Sequence, residues 1–162
     1  MSSFSKYKAP TPRVISELVE MPAGAYYIGD PCYVIPHGYN ALWAHACNTW
    51  FDGMGRRSGR ALIRKGEDYF VAFDTFYGDG SYPDQNGRTY GVDSGHIGAV
   101  PMELVKRTDS EEKAKRCGHI VTFDKPFRCF VDKDKGVITL GDIVIDTKGD
   151  LYGPEDEEDD DA

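Results

Sequence analysis

The stretch of the chain most concentrated in residues that could bind a ligand or a metal runs from position 77 to 101. It contains six glycines and three aspartates in 25 residues, with His96 near its end. Glycine lets a backbone turn sharply and approach a ligand closely, and aspartate carboxylates bind hard cations. The first question is whether this loop is built for a ligand or only connects strands.

A calcium-binding loop is the most specific chemistry that this stretch suggests. With Gly87 as the turn glycine, Asp84 and Asn86 fall on ligand positions of that motif. Asp93 then falls on the closing position, but the first position is Tyr82, which offers no carboxylate. The flanking residues are also strand-like, whereas the motif requires helices. The sequence therefore favours a long hairpin loop with Asx turns over a calcium site.

A second candidate lies at residues 29–33, which read Gly-Asp-Pro-Cys-Tyr. A proline fixes the backbone after Asp30, and this geometry can direct a carboxylate into a cleft. Cys32 could act as a nucleophile if His96 or His119 lay beside it. No local signature of a cysteine hydrolase surrounds it, so the sequence disfavours that reaction.

We predict that these two segments meet and form one polar cleft, because both leave apolar strands and both carry directed polar groups. Tyr77, Tyr82 and Tyr90 would either give flat walls for a base or sugar or serve as ordinary strand aromatics. The predicted ligand-binding residues are Asp30, Cys32, Tyr33, Asp79, Tyr82, Asp93 and His96.

A basic loop is the third candidate, and its predicted contacts to phosphate or nucleic acid are Arg56, Arg57 and Arg60. Guanidinium groups bind phosphate oxygens in pairs. The glycine spacing at 53–59 follows a helix and not a strand, which argues against a phosphate-binding loop. A solvated loop is the competing interpretation.

Charge is distributed unevenly along the chain. The net charge is −8, from 27 acidic and 19 basic residues. Residues 155–161 are all acidic, so the remainder carries 20 acids against 19 bases and is close to neutral. This tail would aid solubility, dock on a basic partner, or cover the basic loop at 56–65.

The cysteines and the absence of long apolar runs bear on cofactors and location. The four cysteines, 32, 47, 117 and 129, form no C-x-x-C pair, and no standard zinc spacing appears. We therefore predict no metal and no cofactor. No signal-peptide pattern and no run of roughly 18 apolar residues is present. These features predict a cytoplasmic protein that does not enter a membrane.

The elements that must position these residues are mostly strands. Apolar residues at helical spacing predict one amphipathic helix over about 40–51, capped by Asn40. Residues 68–77 predict a central strand, and four short strands at the C-terminal end predict an antiparallel meander. The fold class is thus α+β, built on an antiparallel sheet or partly closed barrel. We expect a mobile arm at 1–13, one globular domain at 14–152 and a disordered acidic tail at 153–162.

Three segments carry a resemblance to a known group of proteins. They are YIGDPCYV, FDTFYGDGSY and YGVDSGHIG, within residues 24–146. Together they resemble an uncharacterised family of small proteins in phage and bacterial genomes. The resemblance implies an accessory protein of a phage or bacterium, which would act in the host cytoplasm if phage-encoded. It assigns no catalytic residue.

Three functions remain open from the sequence. The favoured one is a non-enzymatic protein that binds a host or self protein or a nucleotide-like ligand, and that could inhibit a host process. The first alternative is a metal-assisted hydrolase or phosphoesterase that uses Asp30, Asp79, Asp93 and His96. The second alternative is a virion or assembly subunit.

Overall fold

The computed structural model describes residues 17–51, 53–56 and 58–152. The predicted arm at 1–13 and the acidic tail at 153–162 lie outside the described residues. The predicted α+β class is confirmed. The strands are β1 Val19–Met21, β2 Gly24–Gly29, β3 Leu62–Lys65, β4 Asp68–Asp74, β5 Gly80–Pro83, β6 Thr89–Val92, β7 His96–Pro101, β8 His119–Phe123, β9 Phe127–Asp132, β10 Val137–Leu140 and β11 Ile143–Asp146.

The helices are α1 Leu42–Trp50, α2 Met102–Arg107 and α3 Glu111–Cys117, with single 3-10 turns at Pro31–Tyr33 and Tyr39–Ala41. The predicted helix is confirmed within two residues, but its cap is wrong. Asn40 has a left-handed backbone and donates its side-chain amide to Asp68 instead, at 3.3 Å. No side chain caps the first turn of α1.

Two open antiparallel sheets form the frame of the molecule. The five-stranded sheet has the order β3-β4-β7-β2-β8, and the four-stranded sheet has the order β1-β9-β10-β11. Strands β5 and β6 form a separate hairpin. The predicted C-terminal meander is therefore only partly right. Strand β8 pairs with β2, with Ile28 opposite His119, and only β9, β10 and β11 form a meander.

The five-stranded sheet is the middle of three layers, because both of its faces are apolar. One face packs against the four-stranded sheet through residues such as Tyr26, Phe73 and Ile138. The other face packs under the helices, where Phe70 and Trp50 are buried together. Each fully buried large side chain contributes about 1.5–3 kcal/mol by leaving water. This double burial explains why β4 is apolar at successive positions.

Strand β7 approaches its neighbour β4 so closely that one position requires glycine. A Cβ atom at Gly98 would lie 1.8 Å from the carbonyl oxygen of Val71 and 2.8 Å from the Cα of Ala72. Both are backbone atoms, so a rotamer change could not relieve the contact. In the described part of the chain, no helix is long and apolar enough to span a bilayer.

Candidate functional site

The two segments of the predicted cleft are joined by one carboxylate. Asp30 follows β2, and its side chain is fully buried. Its Oδ1 accepts hydrogen bonds from the Cys32 N–H at 2.9 Å and the Ser94 hydroxyl at 2.6 Å. Its Oδ2 accepts from the backbone N–H groups of Asp93 at 2.6 Å and Ser94 at 2.7 Å. We call this arrangement the Asp30 latch. Four internal donors engage the carboxylate, so it holds the loop in place and presents no free oxygen to a ligand.

The neighbours of the latch are also engaged. The Tyr33 hydroxyl donates to Asp93 Oδ2, and this bond, followed by burial, raises the pKa of Tyr33. Burial, followed by the negative charge of Asp30, raises the pKa of the Cys32 thiol to about 12. A thiol with so high a pKa stays protonated at neutral pH and is a poor nucleophile. The environment of Cys32 therefore counts against the cysteine-hydrolase hypothesis.

Two predicted residues lie at the start of the β5–β6 hairpin and not in the latch. Tyr82 is buried, and its hydroxyl donates to the carbonyl oxygen of Gly78 at 2.9 Å. Asp79 is exposed, and its carboxylate has no hydrogen-bond partner among the described residues. The predicted ligand-binding residues are thus divided between the buried Asp30 latch and the start of the β5–β6 hairpin.

His96 belongs to a third environment. Its ring stacks on Trp50, with the ring centres 4.2 Å apart and the planes 16° from parallel. Its Nε2 lies 2.9 Å from Asp74 Oδ1, and its Nδ1 lies 3.0 Å from the carbonyl oxygen of Ser94. Nδ1 faces the Ser94 carbonyl oxygen, whereas the buried Nε2 lies within ion-pair distance of Asp74 but forms no hydrogen bond among the described residues. The sequence gave no signal of this stack.

Metal binding was the basis of the hydrolase alternative. Across the described ranges, no three His, Cys, Asp or Glu side chains come together in a group that could hold a metal ion. The structure separates the four residues of that hypothesis into the latch, the exposed turn and the Trp50 stack, as described above.

A cleft of about 260 Å³ lies where the end of β4 faces the turn between β9 and β10. Residues 59–61 and the residues Lys133 and Gly136 all line it. We call it the Arg60–Lys133 cleft. Its full lining is Gly59, Arg60, Ala61, Ala72, Phe73, Asp74, Thr75, Phe76, Val131, Lys133 and Gly136.

The cleft carries two cations that are available to a ligand. Arg60 and Lys133 are both exposed, and neither side chain forms an ion pair within the part of the chain that the structure describes. Arg60 was one of the three arginines predicted to contact phosphate. Arg56 is exposed and does not line the cleft, and Arg57 is not among the described residues. Lys133 was missed, because its sequence context indicates only a turn.

Exposed aromatic rings stand at the rim of this cleft. Phe76 is 42% and Tyr77 65% exposed, and their ring centres lie 4.9 Å apart. The Lys148 ammonium sits 4.8 Å from the centre of the Phe76 ring. The Phe76 backbone N–H donates to the Thr147 hydroxyl at 2.8 Å, which holds the backbone at this position. Cations beside fixed aromatic faces are a combination that binds bases and phosphates.

A second, more open groove lies beside the latch, on the side of Tyr33. Its volume is about 490 Å³. It is lined by Tyr33, Thr89, Gly91, Lys115, Arg116, Cys117, Gly118 and His119. The His119 ring packs edge-on against Tyr90, with its Nε2 3.2 Å from the Thr89 carbonyl oxygen. Of the predicted ligand-binding residues, only Tyr33 is part of the lining of this groove.

Comparison with known proteins adds no assignment: no family model, no curated protein and no solved structure matches this chain.

Proposed function

We propose that this chain is an accessory binding protein whose ligand presents an anionic, nucleotide-like group to the Arg60–Lys133 cleft. One observation carries the proposal: two cations without ion-pair partners among the described residues line the same cleft, whose rim holds the exposed rings of Phe76 and Tyr77. Such an assembly offers charge for a phosphate and a flat apolar surface for a base. An accessory role of this kind agrees with the resemblance to phage and bacterial proteins.

The size of the cleft limits how the ligand would bind. Pockets that enclose a whole small molecule typically measure about 300–1,000 Å³, and this one measures about 260 Å³. The cleft would therefore hold the phosphate and part of the sugar. The base would lie outside it, against Phe76 and Tyr77.

The proposal favours binding without chemistry. His96 does not line the cleft and contacts its lining through Asp74. A general base must lie within hydrogen-bond reach of the reacting proton. Asp74 is the carboxylate in the cleft lining, and its Oδ1 is paired with His96 Nε2 at 2.9 Å, so we favour recognition of a ligand over proton transfer.

The test is a titration of fluorescently labelled mono- and dinucleotides followed by anisotropy, at low and high salt. We expect binding at low salt that weakens as salt rises, because exposed charge pairs are screened. The double variant Arg60→Gln, Lys133→Gln should bind at least about tenfold more weakly, since a hydrogen bond to a charged group contributes about 1.5–3 kcal/mol.

The matched control is Lys113→Gln, which removes one positive charge from an exposed position on α3 that does not line the cleft. Its affinity should stay at the wild-type value. If the double variant and the control bind equally well, or if the wild-type chain binds no labelled nucleotide, the proposal is overturned.

A further inference from the structure

The chain leaves the described region through a turn that a second buried carboxylate holds in place. Asp146, at the end of β11, is buried. Its Oδ1 accepts from the N–H groups of Lys148 at 3.1 Å and Gly149 at 2.8 Å. Its Oδ2 accepts from the N–H groups of Leu151 and Tyr152, both at 2.9 Å. The path of residues 147–152 is therefore fixed.

This turn lies directly beside the Arg60–Lys133 cleft. Thr147 donates to the carbonyl oxygen of Gly136 from its N–H at 2.8 Å and from its hydroxyl at 2.6 Å. Gly136 is itself part of the cleft lining. Leu151 lines a shallow depression together with Lys135, the residue before Gly136. The last described residues thus sit next to the wall that carries Lys133.

The residues after Tyr152 carry negative charge, which is complementary to the positive charge of Lys133 in the cleft lining. Glu155 is three positions after Tyr152, and positions 155–161 are all acidic. Each residue spans at most about 3.3–3.6 Å, so these side chains can lie from about 10 to about 30 Å beyond Tyr152. That range includes a cleft adjacent to the turn. A segment tethered to a neighbouring turn also has a high effective concentration at the cleft.

We propose that the acidic segment 155–161 binds in the Arg60–Lys133 cleft and competes there with the anionic ligand. The competition rests on the proposed function, because it requires an anionic ligand in the cleft. The binding of the segment to the cleft does not rest on it. A ligand must displace the segment, so its apparent affinity falls by the fraction of chains in which the cleft is already filled. Because both interactions are ionic, salt weakens both, and the competition fades as salt rises.

The experiment uses the full chain and a full-length variant in which the three glutamates of 155–161 become Gln and the four aspartates become Asn. In the anisotropy titration, we expect the neutral variant to bind labelled nucleotide about tenfold more tightly at low salt, and the difference to shrink at high salt. A labelled synthetic peptide of residues 153–162 should bind the neutral variant and be displaced by unlabelled nucleotide.

A change in net charge could strengthen nucleotide binding without any contact between segment and cleft. The peptide separates these causes, because Arg60→Gln, Lys133→Gln in the neutral variant should abolish peptide binding, whereas Lys113→Gln should not. Peptide binding that survives the double substitution, or equal nucleotide affinity of wild-type and neutral chains, would overturn this inference alone. Peptide binding to the cleft with no nucleotide binding in any variant would instead overturn the proposed function and retain the segment in the cleft.

Discussion

Replacing Asp30 by Asn tests whether the Asp30 latch holds the two segments together. The substitution keeps the shape of the side chain but exchanges one carboxylate oxygen for an NH₂ group. Either orientation of the amide directs that NH₂ group at N–H donors. At the Oδ2 position these are the backbone N–H groups of Asp93 and Ser94.

The magnitude follows from the donors left without an acceptor. Two buried N–H groups lose their partner, and each unsatisfied buried group costs about 1–3 kcal/mol. With the NH₂ group at Oδ2, the loss is about 2–6 kcal/mol of unfolding free energy. With the NH₂ group at Oδ1, only the Cys32 N–H loses its acceptor, because the Ser94 hydroxyl can rotate and accept from the NH₂ group, and the loss is about 1–3 kcal/mol. The variant adopts the cheaper orientation. For a chain of this length, 1 kcal/mol shifts the melting temperature by about 2–4 °C, so we expect a decrease of about 2–12 °C.

Urea unfolding followed by far-UV circular dichroism, together with a thermal melt, measures this change. The control is Asp79→Asn, which makes the same chemical change in the same loop system at an exposed carboxylate. Surface substitutions of this kind stay within about 0.5 kcal/mol. If Asp30→Asn also stays within that limit, the latch does not stabilise the fold, and our explanation of how the two segments are held together is wrong.

Three further predictions concern other parts of the chain. Gly98→Ala should lower the unfolding free energy by about 3 kcal/mol or more in urea titrations, because the added Cβ atom would clash with the backbone of β4. The control is Gly91→Ala, whose added Cβ atom would have no neighbour within 4 Å, and it should leave the urea midpoint nearly unchanged. Burial opposes ionisation of Asp146, but its four backbone N–H donors outweigh burial and lower its pKa. The stabilisation by the Asp146 carboxylate is therefore complete above the unfolded-state pKa of about 3.9 and is lost as pH falls through the folded-state pKa. In unfolding curves at acid pH, the difference in unfolding free energy between wild type and Asp146→Asn should therefore become smaller, and a larger difference would contradict this prediction. Iodoacetamide at about pH 8 should modify the exposed Cys47 well before Cys32, because burial raises the pKa of the Cys32 thiol to about 12. Peptide mass mapping measures the two rates, and equal rates would refute this order.

The sequence predicted those parts of the fold that depend on local pattern. The apolar spacing of residues 42–50 is helical over more than two turns, so α1 was found close to its actual bounds. Helix α2 was missed because six residues, Met102–Arg107, give less than two turns of periodic signal. The pairing of β8 was assigned wrongly because strand partners depend on packing between distant residues. The turn at 124–126 resembles the true hairpin turns that follow it.

The parts of the site that were not predictable are those that depend on long-range contacts. Three of the four donors to Asp30 come from residues more than sixty positions away, and two of these three are backbone N–H groups that any residue could supply. No side-chain pattern marks such a partner. The contribution of Lys133 could not be predicted for a different reason. It sits in a turn, as its sequence predicts, but only the packing of the two sheets brings that turn into the same cleft as Arg60.

The aspartates that first suggested a metal site show how the structure uses its acidic residues. Asp84 is buried and accepts from the N–H groups of Asn86 and Arg88 and from the Tyr90 hydroxyl at 2.7 Å. Asp30 and Asp146 are each held by four donors in the same way. A carboxylate that satisfies internal N–H groups could bind a ligand only by leaving those buried donors without an acceptor. We therefore look for ligand contacts among charged groups that have no ion-pair partner in the described part of the fold, and two of these, Arg60 and Lys133, line the Arg60–Lys133 cleft.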